Sequence, residues 1–445
     1  MAPSFAAFPS RLCLLCVVLS IFLWTSHAEL LQGEYNALEE LYLSTNGNHW
    51  KWQDEALYGP KWDFSVGGGD PCSPEVWQGL VCNGSALNCS STACSLNELL
   101  LSEYSLDGLI PSALGDLLHL EMLDLSKNSI AGSIPTSLCN LSNLLHLELN
   151  NNALSGSIPI CLGQNLKSLD ELWLFTNRLE GTIPTTVGFF SSMTYFSVAG
   201  NHLEGPIPEE VWQMTNLVNF QVYSNFLTGT LSSRVGSLTK LQRLYVMDNL
   251  LSQSLPSTIG SLSSVIDFYV YQNEFTNAIP SSICDLTSAN VVALFLNRFS
   301  GPIPDCTLVP KATYFDLSRN ALTGSIPAVF GNNVTAVNFL YLDVNYLTGK
   351  LPESLSEISR LSVLFADINL LTGTIPQFIS KMTYLSILDL SVNKFHGTIP
   401  EFLYDFSRYD KLALSVILWR FMYDIAGLRV SRCSKTCSLG QCRPA

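Results

Sequence analysis

Side chains that recur at intervals of about 24 residues carry most of the chemistry this sequence can do. Two or four places before a recurring asparagine stand Trp173, Phe175, Tyr223, Tyr245, Tyr269 and Tyr271. Later copies put Asp316, Tyr341, Asp343 and Asp367 in the same two places. Rings with a polar edge anchor protein contacts and stack on sugars, and carboxylates set the charge of what can approach. The chemistry implied is non-covalent recognition. Regularly spaced acids such as Asp124 and Glu148 imitate a general acid–base pair, but the repeat already accounts for their spacing. No HExxH, GxSxG, phosphate-binding loop or kinase signature occurs. His49, His119, His146, His202 and His396 lack metal-ligand spacing. The expectation is a protein that is not an enzyme and uses no cofactor or metal.

The elements that must position these side chains follow from the repeat itself. Its asparagines are Asn128, Asn152, Asn177, Asn201, Asn225, Asn249, Asn273, Asn297, Asn320, Asn345, Asn369 and Asn393, with Tyr104 in the place of a first one. Before each stands L-x-L-x-x or a variant. Two apolar residues two apart face one side of a short strand, and the residues between them face the other. One such strand cannot bury its apolar side alone, so units must stack into a parallel sheet. The asparagine amide, with two donors and an acceptor, can satisfy backbone groups at the corner.

Glycine falls four places after the asparagine position in eleven of thirteen units, Gln253 and Asn277 being the exceptions. Proline falls seven places after it in twelve, Ser232 being the exception. This half is therefore a second extended segment. The period predicts a leucine-rich repeat solenoid of about 13 repeats, with a curved parallel sheet on its concave face and an N-terminal cysteine-containing cap.

The LxGxIP form resembles the plant-type leucine-rich repeat family: receptor-like kinases, receptor-like proteins and polygalacturonase-inhibiting proteins. The resemblance covers residues 99–400. It implies an extracellular module that binds a protein or peptide on the concave face, receptor-like without a kinase. Alternatives are an inhibitor of a secreted cell-wall-degrading enzyme and a structural or adhesive wall glycoprotein. A co-receptor or a cell-wall enzyme is the implied partner, and a glycan is also open. The stretch Asp70-Pro71-Cys72 … Trp77-Gln78-Gly79-Leu80-Val81-Cys82 looks like that family's N-terminal cap signature, with a longer Cys-to-Trp gap. Neither an island insertion nor an outward Arg-x-Arg pair is present.

Ahead of the cap, Arg11 and the apolar run Leu12 to Trp24 lead to Ser26-His27-Ala28. This reads as a secretory signal peptide over 1–28, with an uncleaved anchor as the alternative. The cap spans 29–98. Leu31, Tyr35, Leu38 and Tyr42 have helical spacing, and Trp50, Trp52, Trp62 and Trp77 suit a small core.

Cys13 and Cys16 leave with the signal. In a secreted chain the rest pair, with Cys72 assigned to Cys82 and Cys89 to Cys94. Cys139 and Cys161 fall at the same offsets from successive asparagines as Cys284 and Cys306. Each of these two pairs is placed for a disulfide, although buried thiols fit as well. Cys433, Cys437 and Cys442 leave an odd one. Sequons at Asn83, Asn88, Asn140 and Asn333 offer glycan sites.

Residues 401–445 hold a decayed last strand and a tail, Leu412–Val416 copying the frame of Leu388–Val392. A membrane span over 412–428 is the costlier alternative, since it carries Arg420 and Asp424. With 23 basic and 37 acidic residues the net charge is −14, which disfavours nucleic acid as a partner.

Overall fold

The computed structural model describes residues 30–65, 69–72, 75–83, 94–305, 309–332, 336–404 and 411–413. The signal segment, Asn88, Cys89, Cys306, Asn333, the 412–428 stretch beyond Ala413 and the three tail cysteines lie outside them. The chain forms two compact units, the first ending at Phe275 and the second beginning at Thr276.

The first unit opens with helix α1, Gln32–Ser44. It buries Glu34, Ala37, Leu38 and Leu41, whereas Leu31 is exposed. The expected apolar stripe is thus rotated. Tyr35 and Tyr42 leave it because their rings pack on Phe64, each at 5.4 Å, beside Trp77 and Trp50. The cap tryptophans form a core: Trp50, Trp62 and Trp77 are buried in one ring cluster. Two indole N–H groups are satisfied internally, Trp62 by the Gln78 carbonyl and Trp50 by that of Thr45.

A hairpin pair follows, β1 (Leu80–Asn83) antiparallel to β2 (Ser95–Leu100). Every later strand is parallel: β3 (Met122–Asp124), β4 (His146–Glu148), β5 (Glu171–Trp173), β6 (Tyr195–Ser197), β7 (Asn219–Gln221), β8 (Arg243–Tyr245) and β9 (Asp267–Tyr269). Each central residue points inward; Leu123, Leu147, Leu172, Phe196, Phe220, Leu244 and Phe268 are fully buried. The stretch after each asparagine forms a second parallel sheet, six short strands from Asp107–Leu109 to Phe226–Thr228. Proline then opens one turn of 3₁₀ helix, as at Thr136–Asn140, whose Leu138 returns to the core.

The asparagines form a ladder. Asn201 accepts at Oδ1 from the Leu179 N–H at 2.9 Å and donates from Nδ2 to the Leu174 and Val198 carbonyls. Asn225 repeats this one turn on, with Leu203, Val198 and Val222. Gln253, where glycine is missing, takes the glycine conformation anyway, at φ 69°.

In the second unit β10 (Val291–Ala293), β11 (Tyr314–Asp316), β12 (Phe339–Tyr341), β13 (Val363–Phe365), β14 (Ile387–Asp389) and β15 (Lys411–Ala413) pair in parallel. Leu412 stands opposite Leu388, the register read from the sequence. Asn277 takes φ 64° at its vacant glycine position. Before the ladder asparagines, Val344, Ile368 and Val392 are left-handed at φ 50–52°.

Cys72 is bonded to Cys82, and Cys139 to Cys161 with Cα atoms 5.7 Å apart. Cys94 and Cys284 are also in disulfides, and the partners expected for them, Cys89 and Cys306, lie outside the described residues. Among the described residues no helix is long and apolar enough to cross a membrane.

Candidate recognition face

Three-residue strands with a buried centre turn their first and third residues outward. The residue two past the strand end shares that side. Each turn of the first unit therefore offers three outward places, not the two read from the sequence. The added place holds Glu171, Tyr195, Asn219, Arg243 and Asp267 on β5 to β9. A signal existed, six residues before each asparagine, but the repeat fixes no residue type there.

The six ring positions expected in this unit, Trp173, Phe175, Tyr223, Tyr245, Tyr269 and Tyr271, are all half-buried and fall into two groups. Trp173 contacts Phe175 with ring centroids 5.9 Å apart, and the missed Tyr195 stacks on Trp173 at 4.5 Å and 24°. The other group is a chain: Tyr223 to Tyr245 at 6.4 Å, Tyr245 to Tyr269 at 4.9 Å, and Tyr269 to Tyr271 at 6.0 Å. Between the groups the turn of β6 contributes Ser197, at the strand's end, and Ala199 two residues on, both buried.

Polar partners hold the rings. Trp173 donates from Nε1 to Glu171 at 2.9 Å, and Tyr245 donates its hydroxyl hydrogen to Asp267 at 3.0 Å. Arg243 lies 3.6 Å from the same Asp267. Burial, then the Asp267 charge, pushes the Tyr245 phenol upward. At the other end, Asp124 and Glu148 are direct neighbours in register. Burial, followed by the charges of Asp124 and Glu171, pushes Glu148 up to about 7. His146 Nδ1 lies 3.7 Å from Glu171.

The second unit corrects one expectation. Asp316 is buried rather than offered as an acidic flank. It accepts from the Tyr314 hydroxyl at 2.8 Å and from the Ser318 N–H at 2.9 Å. Tyr314, two residues earlier on the strand, covers it; a reading of spacing alone omits that reach. Tyr341 packs between Tyr314 and Phe365, 5.3 Å from each. Asp343 and Asp367 remain half-buried. Burial, then the Asp367 charge, raises Asp343 to about 6.

Residues 119–141 and 311–333 match the sequence profile of the leucine-rich repeat family. The plant peptide hormone receptor RGFR1, solved in complex with RGF2, is 32% identical over 76% of this chain, with a TM-score of 0.69. The chain is a leucine-rich repeat protein of the plant type. The ectodomain of the Arabidopsis receptor kinase HAESA, solved with an extended IDA peptide hormone, is 31% identical over 85% of the chain, with a TM-score of 0.68. PEPR1, solved with AtPEP1, is 26% identical over 86%, with a TM-score of 0.72. This leucine-rich repeat chain spans 60% of the RGFR1 and HAESA chains and 55% of that of PEPR1. No curated protein matches it by sequence.

Proposed function

We propose that this protein is an extracellular, receptor-like recognition module that binds a peptide non-covalently on the outward face of its parallel strands. The observation that carries the reading is the half-buried aromatic strip of the first unit, its rings packed on one another and two of them, Trp173 and Tyr245, held by hydrogen bonds. Rings already fixed in place lose little freedom when a ligand covers them, so their burial goes into affinity. Trp173, Phe175, Tyr223, Tyr245, Tyr269 and Tyr271 are the proposed anchors. Asp343 and Asp367, beside Tyr341, form a separate charged patch on the second unit. The peptide-bound receptors above support the peptide class. The proposed organisation is a cap over 29–98 that closes the first edge, repeats over 99–400, and a terminal segment from 401. Asn83 and Asn140, both exposed, are the proposed glycan sites among the described residues.

The test is selection of a random-peptide display library on the full chain, with recovered peptides measured by calorimetry. Tyr245→Ala with Tyr269→Ala is expected to weaken a recovered peptide at least tenfold. Undiminished binding would remove the strip from the site.

A further inference from the structure

The two ring groups are separated by a slot with a built floor. Ser197 and Ala199 are the smallest outward residues on the neighbouring strands β5 to β8, and both are almost fully buried. Register puts Trp173 on one side of Ser197 and Gln221 on the other. Phe175 and Tyr223 flank Ala199 in the same way, through the Thr176 N–H to Ala199 and Gly200 N–H to Tyr223 backbone bonds. What fills the slot is the protein's own Tyr195. Its ring stacks on Trp173, and its hydroxyl lies within the electrostatic reach of the Gln221 side chain. The phenol therefore leans over the place where Ser197 lies between Trp173 and Gln221. Beneath it, the Ser197 hydroxyl is buried without a hydrogen-bond partner.

A buried, unpaired hydroxyl disfavours the state that contains it. A floor of small residues between Trp173 and Phe175 on one side and Gln221 and Tyr223 on the other, with a stacked ring leaning over it, has the form of an occupied receptacle. We propose that Tyr195 is an internal occupant of a slot for one tyrosyl side chain of the bound peptide, and that seating the ligand swings Tyr195 off Trp173. The ligand's phenol then stacks on Trp173, and its hydroxyl pairs with Ser197 or Gln221. This rests on the reading of the strip as a peptide-binding face. The free protein binds less tightly than it could, because only the fraction with Tyr195 displaced is competent.

The sign of one substitution separates this from the simpler view that Tyr195 is an ordinary contact. With a tyrosine-containing peptide recovered by display, Tyr195→Ala should bind about tenfold tighter than the parent. Tyr195→Phe, which loses only the hydroxyl on the Gln221 side, should bind a few-fold tighter and serves if the alanine variant fails to fold. Ser197→Val should bind several-fold weaker, as should the peptide with its tyrosine changed to alanine. Weaker binding by both Tyr195 variants, with Tyr245→Ala also weaker, would overturn the slot and leave the recognition face intact. Recovered peptides without tyrosine would do the same. Peptides indifferent to Tyr245→Ala and Tyr269→Ala, or no recovered peptide, would overturn both.

Discussion

Oε1 of Glu34, in the cap helix, lies 3.3 Å from Nδ1 of His119, 85 residues further on, while its Oε2 accepts from the Leu96 N–H. One carboxylate thus ties the cap helix to the end of the cap and to the first repeats. Because Glu34 is buried, Glu34→Ala leaves the Leu96 donor unpaired and should cost about 1–3 kcal/mol. Chemical denaturation followed by cap tryptophan fluorescence measures it. A cost below experimental error would show that the cap is held by its apolar contacts alone.

The asparagine ladder makes a sharper demand. Asn201→Ala removes the side-chain acceptor of the buried Leu179 N–H, together with the amide donor shared by the Leu174, Val198 and Ala199 carbonyls. A loss of about 2–4 kcal/mol is expected from several unsatisfied groups. Amide exchange should speed up first at Leu179, in the preceding turn, and exchange that changed only beyond Asn201 would contradict the pairing.

Gln253 occupies a left-handed position that glycine fills in most turns. Gln253→Gly should raise the melting temperature, corresponding to about 0.5–1 kcal/mol, since side chains pay for this conformation. Asn277→Gly should gain less, because asparagine tolerates it better.

Ile368 is exposed and left-handed at φ 50°. A β-branched residue is a poor fit there. Ile368→Asn should stabilise by about 1 kcal/mol, measured by thermal unfolding. A fall in melting temperature would mean that the side chain makes an apolar contribution larger than its strain.

Glu148 moves from its usual 4.5 to about 7 on folding, and Asp343 from 3.8 to about 6. Both folded-state values are raised, so the native state binds more protons than the unfolded chain across that window. Their effect on stability is therefore most favourable below about pH 4 and is lost as the pH rises to 7. The melting temperature should be a few degrees higher near pH 5 than near pH 7.5, and Glu148→Gln should narrow the difference. A profile that climbs over this interval is the contrary result.

What the sequence disclosed, and what it withheld, divides along physical lines. Spacing alone discloses strand parity, the ladder and the register of Leu412 on Leu388, because stacking forces every turn to repeat them. Side-chain reach is not periodic. Tyr195 leaning on Trp173, and Tyr314 closing over Asp316, depend on long rings chosen at a place the repeat leaves free. The cap helix presents a different face from its tyrosine spacing for a related reason: Tyr35 and Tyr42 obey helical spacing, yet their partner is Phe64, outside any repeat.

Each ladder asparagine serves the turn before its own, as Asn225 does for Leu203, 22 residues back. The solenoid therefore has an arrow of time during synthesis. A turn leaving the ribosome keeps one backbone donor open until the next asparagine emerges. Completion trails translation by about one repeat, and a pause inside a repeat would hold the preceding turn unlatched for as long as it lasted.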